Sequence, residues 1–255
     1  MKRAAILLMA ACAGLAQAGP GEACPEDIEA ALRAVGGKSR IRGDVAASDC
    51  RPWPAGPGRV TAAVMAFERP GSGSNSDQAW EVVVALVDPA RGKALSSHRA
   101  TLQEDATTWL TGQSLSLDLA PYWLKAGVRA LGLRFSSDRS SSAANNHSGG
   151  ALRLYVPEGR RLRPVFCQAM SWQDAGLGVI GQDPWDEATT TLSLLDPQTS
   201  GWRRLRLTDQ ISHQTRDGEA SSPKPSHREC RFEATAYRCE PPGSAAITDC
   251  DPANL

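Results

Sequence analysis

The sequence predicts a mainly β chain: an antiparallel, β-sandwich-like domain with one short N-terminal helix, long surface loops and a disulfide framework. Three observations carry this. Apolar residues recur with a period of two in stretch after stretch beyond Val60, only one segment shows a helical period, and the cysteines that follow an N-terminal export signal are even in number. Of the 255 residues, 41% are apolar and 22% charged, with 23 Gly and 17 Pro, a balance that excludes disordered, collagenous and coiled-coil chains. Lys plus Arg and Asp plus Glu both number 28. Bulk charge therefore favours neither a nucleic acid nor an anionic membrane, and no nucleic-acid partner is expected.

Residues 1–18 read as a secretory signal peptide, with Lys2 and Arg3 as the basic start, an apolar run from Ala4 to Ala11, and Ala16-Gln17-Ala18 as the cleavage site. The run is far shorter than the roughly 20 residues that span a bilayer, so no transmembrane span is expected and the mature chain should be periplasmic or secreted. An alternative places processing at Cys12, where Leu8-Met9-Ala10-Ala11-Cys12 loosely resembles a bacterial lipobox and would make a lipoprotein. The remainder, 19–255, reads as a single β-rich domain in which acids outnumber bases by two.

Pro25 to Val35 places Ile28, Ala31, Leu32 and Val35 on one helical face, with acids at the start and Gly36-Gly37 at the stop. Either processing site takes Cys12 out of the count and leaves Cys24, Cys50, Cys167, Cys230, Cys239 and Cys250. In an exported chain an even set argues for disulfides. Proximity favours Cys24 with Cys50, Cys230 with Cys239, and Cys167 with Cys250. Within the same stretch His213, His227, Cys230 and Cys239 could be read as a zinc ligand set, but the spacing fits no common framework and an oxidising compartment favours the disulfide.

Strands follow. Trp80 to Val87 is continuously apolar and β-branched, the pattern of a strand covered on both faces. Ser114–Leu119, Arg129–Phe135, Leu152–Val156 and Arg204–Leu207 alternate, the pattern of one wet face. Asp88-Pro89 and Asp196-Pro197, each followed by a glycine, read as hairpin turns; their similar settings hint at two related halves, against the simpler reading of two ordinary hairpins. Polar stretches at 69–79, 136–150 and 215–229 read as long surface loops, and 167–187 is the one place where an internal boundary could fall.

Chemistry is poorly marked. There is no G-x-S-x-G, H-E-x-x-H or P-loop pattern, and Ser221-Ser222-Pro223-Lys224 matches S-x-x-K only formally, because its prolines prevent the helical turn that motif needs. No cofactor and no metal are expected, and no catalytic residue is assigned. Seven Trp stand against four Phe and three Tyr. Trp80 and Trp109 read as core, whereas Trp172, Trp185 and Trp202, with Asp183 and Asp186 and the neighbouring Glu187, form the candidate binding set; Trp123 lies near another strand end. Aromatic platforms beside carboxylates suit sugar binding or glycoside chemistry. The expected function is that of an exported, non-enzymatic β protein binding another envelope or secreted macromolecule, as an inhibitor, immunity protein or assembly factor does. The alternatives are a carbohydrate-binding or carbohydrate-active protein, and a hydrolase built around His98 or His213.

Overall fold

The computed structural model of the protein describes residues 24–37, 41, 43–55, 59–70, 78–104, 108–137, 146–176, 178–180, 183–197, 200–217 and 219–240. The expected signal peptide at 1–18, Cys12 and Cys250 lie outside the described residues. The helix forms as its spacing predicts: α1, Glu26–Gly36, buries Ile28, Ala31 and Leu32, carries three acids in its first turn and ends at Gly37 with φ +86°. No helix among the described residues is long and apolar enough to cross a membrane.

The rest of the described residues are strand and connection. β1 (Val45–Pro52), β2 (Thr61–Glu68), β3 (Ala79–Asp88) and β4 (Lys93–Gln103) form an antiparallel meander, with the predicted Asp88-Pro89 turn joining β3 to β4. β5 (Leu115–Asp118), a two-stranded ribbon of β6 (Trp123–Lys125) and β7 (Val128–Arg129), and β8 (Leu131–Phe135) come next. The long strands β9 (Asn146–Glu158) and β10 (Arg161–Asp174) make a tight hairpin around Gly159, which sits at φ +58°. β11 (Trp185–Pro197), β12 (Arg203–Gln214), β13 (Lys224–Glu233) and β14 (Ala236–Glu240) follow as a second meander. The sheet order is β1-β2-β3-β4-β10-β11-β12-β13-β14, with β9 also on β10, β8 on β9 and β5 on β8. Among the described strands the pairings are antiparallel except where β4 meets β10 in parallel through the single pair Ser97–Arg161.

Alternation decides the layering. One face of β2 and β3, with Met65, Phe67, Val83 and Val87, packs under α1. The opposite face, with Val64, Ala66, Val82 and Val84, packs against Leu117 of β5, Leu131 and Leu133 of β8 and Tyr155 of β9. The far side of β9 and β10, with Leu152, Leu154 and Phe166, is covered in turn by Leu205, Leu207, Cys230 and Tyr237 of the second meander. β3 is thus buried on both faces, as its unbroken apolar run predicts.

Three buried carboxylates are paired by specific contacts. The Asp49 carboxylate, 1% exposed, accepts from Leu117 N–H (2.8 Å) and Arg51 Nε (3.0 Å), tying β1 to β5. Glu104 accepts from Trp80 Nε1 (3.0 Å) and Leu110 N–H (2.9 Å). Asp209 and Arg228 form a two-pronged ion pair at 3.0 and 3.1 Å, with Thr190 Oγ1 donating to Asp209 at 2.6 Å. The Cys24–Cys50 and Cys230–Cys239 disulfides are present as expected. Cys167 is also disulfide-bonded, while Cys250, its expected partner, lies outside the described residues.

Two of the expected loops are partly strand. Residues 146–150 belong to β9 and 224–229 to β13. The second case has a physical reason: the first four residues of β13, Lys224 to His227, are all exposed, so no apolar alternation marks a strand whose hydrogen bonds come from β12. The stretch at 167–187 opens inside β10, which continues unbroken to Asp174.

Candidate functional site

The aromatic and acidic residues expected to form a site fall into separate environments. Trp172 lies in β10 and is buried; Trp185, at the start of β11, is half-buried. The indole N–H of each has no hydrogen-bond partner among the described residues. Trp202 is stacked face to face on Phe232, with ring centroids 3.8 Å apart, and meets the edge of Tyr237, so it serves the outer core. Asp183 is exposed and accepts from Val179 N–H (2.9 Å) in its own turn. Asp186 pairs across the β11–β12 ladder with His213, Oδ1 to Nδ1 3.0 Å, both exposed. Glu187 stands opposite Ser212. These six residues line neither of the two hollows described below.

Among the described residues, His98, His213 and His227 form no relay. Ser221 lies beside His213, but its Oγ accepts from the His213 backbone N–H (2.8 Å) while the ring turns to Asp186. His98 tilts against buried Tyr155 at 5.1 Å, and burial together with the Arg153 charge holds its pKa below the ordinary value. His227 Nδ1 meets Thr208 Oγ1 at 3.1 Å. Cys230 and Cys239 are bonded to each other, and no group of three or more His, Cys, Asp or Glu gathers as a metal would require among the described residues.

A concave aromatic surface forms elsewhere, on the β6–β7 ribbon. Period two sends Leu124 into the core, 0% exposed, and turns Trp123 outward at 42%, one of two large apolar side chains so exposed among the described residues. Gly127 at φ +72° makes the tight return, and the register then sets Arg129 opposite Trp123. The Arg129 guanidinium lies 5.8 Å from the Trp123 ring centroid and 5.2 Å from that of buried Trp53, one cation between two indoles. Its Nη2 donates to the Leu119 and Ala120 carbonyls, which fixes the head group, and burial lowers its pKa. Trp53, Trp123, Val128, Arg129 and Pro157 line a hollow of about 340 Å³.

Sequence reasoning names Trp123 as a strand-end aromatic and reads Trp53 as a brace, but leaves Arg129 unassigned. Pro121 before an aromatic–Leu–Lys alternation and Gly127 after it is the signal for the ribbon; the cross-strand partner depends on register, which the sequence does not print. The site offers a flat apolar face, an adjoining positive charge and no nucleophile or paired acid within the hollow. No family model, no curated protein and no solved structure matches the chain.

Proposed function

We propose that the protein is an exported, non-enzymatic binding protein, periplasmic or secreted, that engages another macromolecule through the Trp53–Arg129–Trp123 surface. The observation that carries the reading is Trp123 itself: a large aromatic held outward on a two-stranded ribbon and braced by a guanidinium. A rigid, exposed indole loses little conformational freedom on docking, and such anchors dominate binding energies where they occur. The export signal in the sequence and the disulfides are consistent with an oxidising compartment. A lipoprotein anchored through Cys12 is the other form the same reading can take.

A second reading, carbohydrate binding, draws on the same indole face. One experiment separates the two. The oxidised chain 19–255 and its Trp123→Ala variant are titrated, by fluorescence and by bead capture, with peptidoglycan fragments and with envelope proteins of the host. A protein retained near stoichiometry by the parent and at least tenfold less by the variant supports the proposal. A Trp123-dependent fluorescence change with glycan fragments moves the assignment to carbohydrate, and equal retention by both forms removes the surface from function.

A further inference from the structure

We propose that the seam where β4 leaves β10 is a binding site for an oxyanion carrying two or more negative charges, held by Arg99, Arg160 and Arg161. β4 and β10 share one pair of residues, with Ser97 N–H donating to the Arg160 carbonyl at 3.2 Å. Past that pair the strands diverge, and Arg99, two residues on, brings its own N–H to the same edge of β4. The divergence leaves an open hollow of about 620 Å³ beside the end of α1.

Its lining is strongly positive for a chain with equal numbers of acids and bases. Four arginines, Arg99, Arg160, Arg161 and Arg163, face Glu158 in the hollow and Glu81 behind it, 3.6 Å from Arg99, a surplus of two positive charges. The four are not equivalent. Arg163 is spent on Glu158 (2.7 Å) and on the Thr235 carbonyl. Arg99 donates to the Val35 and Gly36 carbonyls at 3.2 and 3.1 Å, which covers the negative end of the α1 dipole and leaves other N–H groups to give. Arg160 and Arg161 are exposed and adjacent, and neither side chain has a hydrogen-bond or ion-pair partner among the described residues. His98 lines the same hollow with a buried Nε2 that also has no partner there. Guanidiniums lining one hollow repel each other, an anion among them relieves that repulsion, and their planar forks match the oxygens of carboxylate or phosphate two at a time.

The site shares no lining residue with the Trp123 surface, so the two readings stand or fall separately. The test is calorimetric titration at low salt of the oxidised chain with sodium tripolyphosphate and, separately, hexagalacturonate. Saturable one-to-one binding is expected for at least one probe, weakened by added salt. Binding of tripolyphosphate alone marks a phosphate-bearing ligand, of hexagalacturonate alone a polycarboxylate, and of both a site that reads charge and spacing. The double substitution Arg160→Gln with Arg161→Gln should weaken it at least about tenfold, while Arg91→Gln on the far turn and Trp123→Ala leave it unchanged. If the double variant folds poorly, the rise in melting temperature of the unmodified chain with probe concentration reads the same binding. Absence of saturable binding by both probes, or equal affinity in the double variant, overturns the proposal.

Discussion

β3 and β11 are strands of similar length in one sheet, yet they are held by different means. Trp80 to Val87 of β3 is buried without a break, covered by α1 on one side and by β5, β8 and β9 on the other. Along β11 only Ala188 and Thr190 are fully buried, and the strand has a single covered face. A strand covered twice can rely on apolar area at about 25 cal/mol per Å². A strand covered once has about half that area to bury, and the outer meander supplies the difference with specific contacts: the Asp209–Arg228 pair, the Trp202–Phe232 stack and the Cys230–Cys239 bridge. The outer layer thus leans more on specific pairs and the inner one more on buried apolar area, to which the Asp49 and Glu104 contacts and the Cys24–Cys50 bridge are added.

The sharpest way to break that contrast is Arg228→Ala. It leaves the Asp209 carboxylate buried with Thr190 as its remaining partner, and the expected loss is about 3–5 kcal/mol in urea unfolding. A loss near zero would mean that the outer meander is held by area after all. Next are the bridges. On loop-closure entropy, replacing Cys24 and Cys50 by Ser should cost about 3.5 kcal/mol, and replacing Cys230 and Cys239 about 2.5, because the closed segments are 26 and 9 residues long. Reversal of that order in paired thermal melts would show that the outer bridge also carries packing that loop length ignores.

Acid should act on the inner region. His98 has a folded pKa below its ordinary 6.5, because burial and Arg153 both disfavour the imidazolium. The folded state therefore binds fewer protons than the unfolded one as pH falls through that value. The stability associated with neutral His98 is present above about pH 6.5 and declines below it. His98→Gln should flatten the loss between about pH 7 and 5, read as the urea midpoint against pH; an unchanged slope removes His98 as the cause. Smallest of all, Trp123→Ala should shift stability by no more than about 0.5 kcal/mol, because the side chain is 42% exposed and belongs to no buried core cluster. A larger cost would make Trp123 a structural residue and weaken its assignment to binding.

Legibility follows the same division. The helix period of Ile28, Ala31 and Leu32, the doubly covered run of β3 and the alternation in β5, β8, β9 and β12 are all readable, because each is decided by which face is dry. β10 is not readable: register shifts between Pro164 and Phe166 and between Ala169 and Ser171 break the alternation of Pro-Val-Phe-Cys-Gln-Ala-Met. Its buried Gln168, which accepts from Arg228 at 3.4 Å, also interrupts the apolar pattern. The aromatic hollow is half readable. Trp123 follows from local alternation, but its union with Arg129 and Trp53 depends on a ribbon register and on where the Pro52-Trp53-Pro54 segment packs. The arginines of the β4–β10 seam meet only because strands distant in sequence touch at one pair.

That single pair also orders events in time. Apart from it and the closure of β5 on β8, neighbouring strands in the sheet are consecutive in the chain, so hairpins can zip from their own turns. The join at Ser97 and Arg161 must wait until everything from β5 to β9 has been gathered. On this topology the seam should close last in folding and open first in unfolding, so substitutions there should speed unfolding in stopped-flow chevrons while leaving the refolding rate nearly untouched.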